Sequence, residues 1–185
     1  MGRRWLDFWL GLHKGLVQAK TGARLVVRLG SGYDSMADQE AQRKKLVEAC
    51  AKAIAQYPAK DLDGDGSPDE TYCNFAVRDI AEAMGLALFK GLTANQIHAK
   101  LLTLPHCRQD TGDRARLHAE AGQLAIASQT GQVHGHVAVV YPGPMSYSGK
   151  WGTSVPMVAN VGRTNGVMGA NFAFKDQPTY FLLEA

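Results

Sequence analysis

Three side chains in this 185-residue chain have the types and spacing needed for acyl transfer through a thiol: Cys73, His136 and Asn160. Cys73 follows Pro68, Asp69 and Glu70 and opens a helical pattern. Unpaired N–H groups and the helix dipole at such a start favour a thiolate and a developing oxyanion. His136 opens a strand on which Ala138 and Val140 share its face. The small Ala138 leaves room for a packed helix that carries a nucleophile. Asn160 lies on the next predicted strand, facing away from Met157, Ala159 and Val161, and a buried amide there needs a partner such as an imidazole. Cysteine as nucleophile, histidine as base and asparagine as orienting group form a workable set. The same residues also fit a structural cysteine, a satisfied core histidine and an asparagine near a surface turn.

A second constellation precedes Cys73. Asp61, Asp63, Asp65, Gly66, Ser67 and Asp69 have the spacing of a calcium loop. Their carboxylates repel one another unless a cation or solvent intervenes. Tyr72 stands where such loops carry a bidentate Glu, with Glu70 as a partial substitute, so the expected affinity is weak, about 10⁻⁴ to 10⁻³ M. The alternative is a solvated acidic turn that caps the Cys73 helix. Tyr147 and Trp151, in a Gly/Ser-rich loop, are candidates to line a substrate groove or to serve only as surface-loop residues. His106 and Cys107 lack a nearby ligand pair. His98 and His118 read as surface helical residues, and Cys50 as a small buried hydrophobe.

The elements that must position these groups come in two blocks. Ser35 and Asp38 form a helix-start signal, and Leu46, Val47, Cys50, Ala51 and Ile54 make an apolar stripe toward Pro58. Phe75, Ala76, Ile80, Ala83 and Met84 predict the inner face of the Cys73 helix. Thr93 and Gln96 predict a capping box on a short helix through Leu101. Residues 105–122 read as polar loop with a helical turn. From about residue 123 the period changes to two. Strands are expected over 123–128, 135–141, 155–161, 167–174 and 179–183, with Asn165-Gly166 as a hairpin turn. Helices followed by an antiparallel sheet define the α+β class.

The division expected is an N-terminal helical extension, residues 1–34, and one domain, residues 35–185. In the extension Trp5, Phe8, Trp9, Leu12 and Leu16 recur at helical spacing. A net charge of +3, from 20 Lys+Arg against 17 Asp+Glu, does not argue for a nucleic-acid partner. No apolar run approaches the ~18 residues of a membrane span. Asp7, His13 and Lys14 interrupt the N-terminus, so no signal peptide is read. Three widely spaced cysteines fit neither a zinc ribbon nor a disulfide framework.

Tyr72-Cys-Asn-Phe-Ala76 at a helix start, with Gly135-His-Val-Ala-Val-Val140 on a strand, resembles the CHAP and NlpC-like cysteine peptidases and amidases over roughly residues 60–175. The resemblance implies a papain-like core and cleavage of peptide or amide bonds in bacterial peptidoglycan, by an endopeptidase or an N-acetylmuramoyl-L-alanine amidase. It makes Cys73 the nucleophile, His136 the base and Asn160 the orienting residue, with Asn165 as the fallback. Many CHAP members carry an acidic residue on the strand after the histidine; none lies between His136 and Asn160. Some carry a similar calcium loop just before the cysteine. Such a protein, made in the cytoplasm, reaches the wall after lysis-type release or secretion, as a phage lysin or antibacterial effector does. The alternatives are a cysteine-dependent protease or deamidase acting on a host protein, and a catalytically silent, calcium-stabilised wall-binding module.

Overall fold

A computed structural model describes residues 35–61 and 71–184. The predicted extension over 1–34 and the acidic turn from Leu62 to Glu70 lie outside the described residues. Helix α1 (Met36–Gln56) starts on the expected signal: Ser35 accepts from the Asp38 N–H while the Asp38 carboxylate accepts from the Ser35 N–H. It buries Leu46, Cys50 and Ala53. Helix α2 (Cys73–Ala83) buries Cys73, Ala76, Val77, Ile80 and Ala81. Phe75, expected on its inner face, is 40% exposed and packs its ring on Tyr72 and Tyr57 instead. Helix α3 (Ala94–Leu101) carries the predicted Thr93–Gln96 capping box. Helix α1 packs on α2, and α2 packs on strand β3.

The segment 105–122 is more ordered than its polarity suggests. It holds strand β1 (Cys107–Asp110) and helix α4 (Gly112–Glu120), capped by Thr111. A polar four-residue strand has no readable alternation; it forms because strand β8 (Thr179–Leu183) offers it a ladder, with Cys107 across from Leu183. The remaining strands are β2 (Ala125–Gln129), β3 (His136–Val140), β4 (Ser146–Ser148), β5 (Thr153–Val155), β6 (Met157–Asn160) and β7 (Gly166–Gly169). The expected strand over 155–161 is thus divided at Pro156, which has no N–H to give a ladder. The expected strand over 167–174 ends early, and residues 170–173 form the short helix α5 (Ala170–Ala173).

Six strands make one antiparallel sheet in the order β1-β8-β2-β3-β6-β7, and β4 pairs with β5 in a separate ribbon. The fold is mixed α+β, with N-terminal helices and a C-terminal antiparallel sheet. Its centre is narrow. Ala127 lies across from Ala138, and Ala125 and Ala159 are also buried. Small side chains on central strands let packed elements approach the sheet closely. Among the described residues no helix is long and apolar enough to cross a membrane.

Candidate functional site

The first turn of α2 is unusual in what it lacks. Its N-cap residue, Tyr72, makes no side-chain capping bond, and the first intrahelical acceptor bond runs from the Ala76 N–H to the Tyr72 carbonyl. Tyr72 contributes packing instead, with its ring 6.1 Å from that of Tyr57 and 5.9 Å from that of Phe75. The Asn74 amide donates to the Leu92 carbonyl at 2.8 Å and ties this start to the segment leading into α3.

Cys73 is 5% exposed. Burial raises its pKa, while the nearby N–H groups of Val137, Asn74 and Cys73 itself lower it. Burial is the larger effect. The sequence expectation of a depressed pKa is therefore corrected: desolvation outweighs the helix start, and the resting group at neutral pH is a thiol. The same N–H groups become more valuable once the sulfur or an oxygen bonded to the attacked carbon is charged.

Val137 follows His136, so the thiol sits beside the start of β3. His136 Nε2 lies 2.7 Å from Asn160 Oδ1. The register of β3 and β6, Val139 across from Ala159, puts Asn160 on the face of the sheet that His136 shares. Asn160 in turn donates from Nδ2 to the Thr164 carbonyl at 2.6 Å. That bond settles a proton. A carbonyl oxygen only accepts, so Nδ2 must face Thr164 and Oδ1 must face His136. His136 therefore carries its proton on Nε2 and keeps a bare lone pair on Nδ1. Burial lowers the His136 pKa and the Asn160 bond raises it, with burial dominant, so the ring is neutral and able to take up a proton. The His136 ring also packs on Phe174, at 4.8 Å between centroids. Gly162 leaves the pair room: a Cβ there would come within 3.3 Å of Asn160 Nδ2.

Asn165, the fallback, has other work. It accepts from the Gly162 N–H at 2.9 Å and donates to the carbonyls of Tyr57, at 2.7 Å, and Ile54, at 3.2 Å. It fastens the β6–β7 turn to the end of α1. His134 is exposed and lines a cleft of about 760 Å³ together with Cys73, Thr71, Asn74, Asn95 and Arg163.

Tyr147 and Trp151 do not line that cleft. Tyr147 is 71% exposed on β4, and Trp151 is half-buried at the end of the ribbon, with the Lys150 ammonium over its ring. Of the proposed calcium ligands, Asp61 is described and makes an interaction, while Asp63, Asp65, Ser67 and Asp69 lie outside the described residues. Among the described residues no three His, Cys, Asp or Glu side chains cluster as metal ligands. His98 and His118, expected on the surface, are half-buried. His98 Nδ1 meets Ser128 Oγ at 3.0 Å under Phe181, and His118 Nε2 meets the Leu183 carbonyl at 2.9 Å. Cys50 is fully buried, its pKa pushed up to about 12 by burial.

Asn95 gave no sign in the sequence beyond its place after a helix cap. It donates to the Gly131 carbonyl at 2.9 Å and accepts from the Gly131 N–H at 3.2 Å. Its Oδ1 would lie 2.3 Å from a Cβ at position 135, so Gly135 is required for the close approach. This clamp fixes the β2–β3 loop that delivers His136. Compared with models of protein families and with curated proteins, the chain matches none.

Proposed function

We propose that this chain is a papain-like cysteine hydrolase that cleaves an amide bond of bacterial peptidoglycan. The observation that carries the catalytic part is the relay from the Thr164 carbonyl through the Asn160 amide to His136, on a strand against which the uncapped helix that opens with Cys73 is packed. His136 Nδ1 takes the Cys73 proton as the sulfur attacks the carbonyl carbon, and Asn160 stabilises the resulting imidazolium. The Cys73 N–H helps hold the oxyanion. His136 then protonates the leaving amine, and water, deprotonated by His136, cleaves the thioester and restores the thiol.

Support for the substrate is of two kinds. The Tyr72–Ala76 and Gly135–Val140 strings resemble wall-degrading enzymes, and the cleft residues Thr71, Asn74, Asn95, His134 and Arg163 suit a short peptide rich in amides and carboxylates. The protein would meet its substrate after release by lysis or by secretion. Digestion of purified sacculi followed by mass spectrometry should release fragments with one new amine and one new carboxyl end, and Cys73→Ala should release none. Fragments from the wild type that persist in Cys73→Ala would overturn the mechanism; intact sacculi with both proteins would overturn the substrate.

Calcium belongs to the same proposal. The Asp61–Asp69 segment leads into the Cys73 helix, and a cation there would neutralise its carboxylates. At a hundred times Kd it would add about 2.7 kcal/mol of stability. Chelation should lower the melting temperature, millimolar calcium should restore it, and Asp63→Ala should remove the response. A melting curve indifferent to calcium would make the segment a solvated acidic turn.

A further inference from the structure

A groove of about 720 Å³ runs beside the β4–β5 ribbon and shares no lining residue with the Cys73 cleft. We infer that this groove binds a neutral glycan chain. Its floor contains Tyr180, only 9% exposed. The phenol makes no hydrogen bond to a described residue; burial alone acts on it, and raises its pKa. The hydroxyl is open to solvent at the groove, a position where a ligand hydroxyl can take the place of water. The floor is built to this shape: a Cβ on Gly112 would come within 2.9 Å of Pro156 and 3.1 Å of the Tyr180 ring.

The rim supplies the other half of a sugar site. Tyr147 is not itself a lining residue, but it pairs across the ribbon with Ser154, which is, so the two side chains leave the same face. Its 71% exposed ring is available to stack on a pyranose face. Thr111, Thr153, Ser154 and Gln177 add neutral hydroxyl and amide groups. Among the described residues no Lys, Arg or His lines the groove, which disfavours phosphate and nucleic acid. Its two carboxylates are already engaged: Asp110 with Arg108 and the Thr111 N–H, and Asp113 with Arg116 at 3.7 Å. They do not call for a cationic ligand. The volume falls in the range of ordinary small-ligand sites. The inference stands whether or not Cys73 is a nucleophile.

The test is titration of the full chain with the β-1,4-linked tetramer of N-acetylglucosamine, followed by calorimetry and by amide chemical shifts. Saturable binding with Kd of about 1 mM or tighter is expected. The shifted amides should lie on β4, β5 and the 110–113 segment. Tyr147→Ala should weaken binding about tenfold, and Tyr180→Phe, which keeps the ring, should weaken it several-fold with an unchanged melting temperature. Absence of saturation, shifts confined to the Cys73 cleft, or equal binding by both variants and the wild type would each overturn the inference.

Discussion

Helices α2 and α3 both contribute their first residues to the Cys73 cleft, and they begin in opposite ways. Helix α3 starts on Thr93, whose hydroxyl accepts from the Gln96 N–H while Gln96 accepts from the Thr93 N–H. Its Thr93 and Gln96 N–H groups are spoken for, and it serves as a wall. Helix α2 starts on Tyr72 with no side-chain cap. Leaving out a cap costs about 1 kcal/mol, offset here by the packing of Tyr57, Tyr72 and Phe75 and by the Asn74 bond to Leu92. What α2 gains is a set of N–H groups beside a thiol. A satisfied helix start is scaffold; an unsatisfied one held in place by its neighbours is a place for negative charge to develop.

That contrast is most severely tested at the base. If the α2 start is chemically active, His136→Ala should lower kcat/KM on sacculi by about 10²- to 10⁴-fold with an unchanged circular dichroism spectrum. Near-normal turnover in that variant would reduce α2 to scaffold as well. Asn160→Ala should cost less, on the order of a hundredfold, because it disturbs the orientation of a base that is still present. Its pH profile should also move. The Asn160 bond raises the His136 pKa against the larger lowering by burial, so without it the acid limb of kcat/KM should shift to lower pH. An acid limb that moves upward would exclude the assigned tautomer.

Stability should follow the histidines in a readable direction. Burial lowers the pKa of His98, His118 and His136 from the ordinary 6.5. The unfolded chain therefore binds protons first. The stability that goes with neutral rings is complete above about pH 6.5 and is lost as the pH falls through the lowered folded-state values. Thermal melts should shift down by a few degrees, roughly, between neutral and mildly acidic buffer; a flat or rising melting temperature would contradict the burial. The smallest effect concerns a cap remote from the cleft. Ser35→Ala removes the capping box of α1 and should cost about 1 kcal/mol while Cys73 alkylates at the wild-type rate. A change in that rate would mean that cap strength alone, rather than the neighbours of Cys73, sets its reactivity.

Much of this site was legible where one side chain declares its own local geometry. Ser35–Asp38 and Thr93–Gln96 could be read because a capping box is contained within four residues. Cys73, His136 and Asn160 could be singled out because each breaks the pattern of its own element. Strand β1 could not be read, since Cys107–Asp110 has no alternation and takes its conformation from β8, some seventy residues on. The setting of Tyr147 was equally hidden: an aromatic in a Gly/Ser loop does not say that it pairs with Ser154 in a ribbon separate from the main sheet.

Local sequence by itself determined the starts of α1, α2 and α3, the change of period near residue 123 and the identity of the polar residues that a buried sheet must satisfy, because caps and alternation are short-range effects. Only the tertiary structure decided which partners those residues meet. Asn160 and not Asn165 reaches His136, because the β3–β6 register sets the face and Thr164 sets the amide. Burial of Cys73 outweighs the N–H groups around it, because desolvation depends on everything packed against the sulfur and not on the helix that carries it.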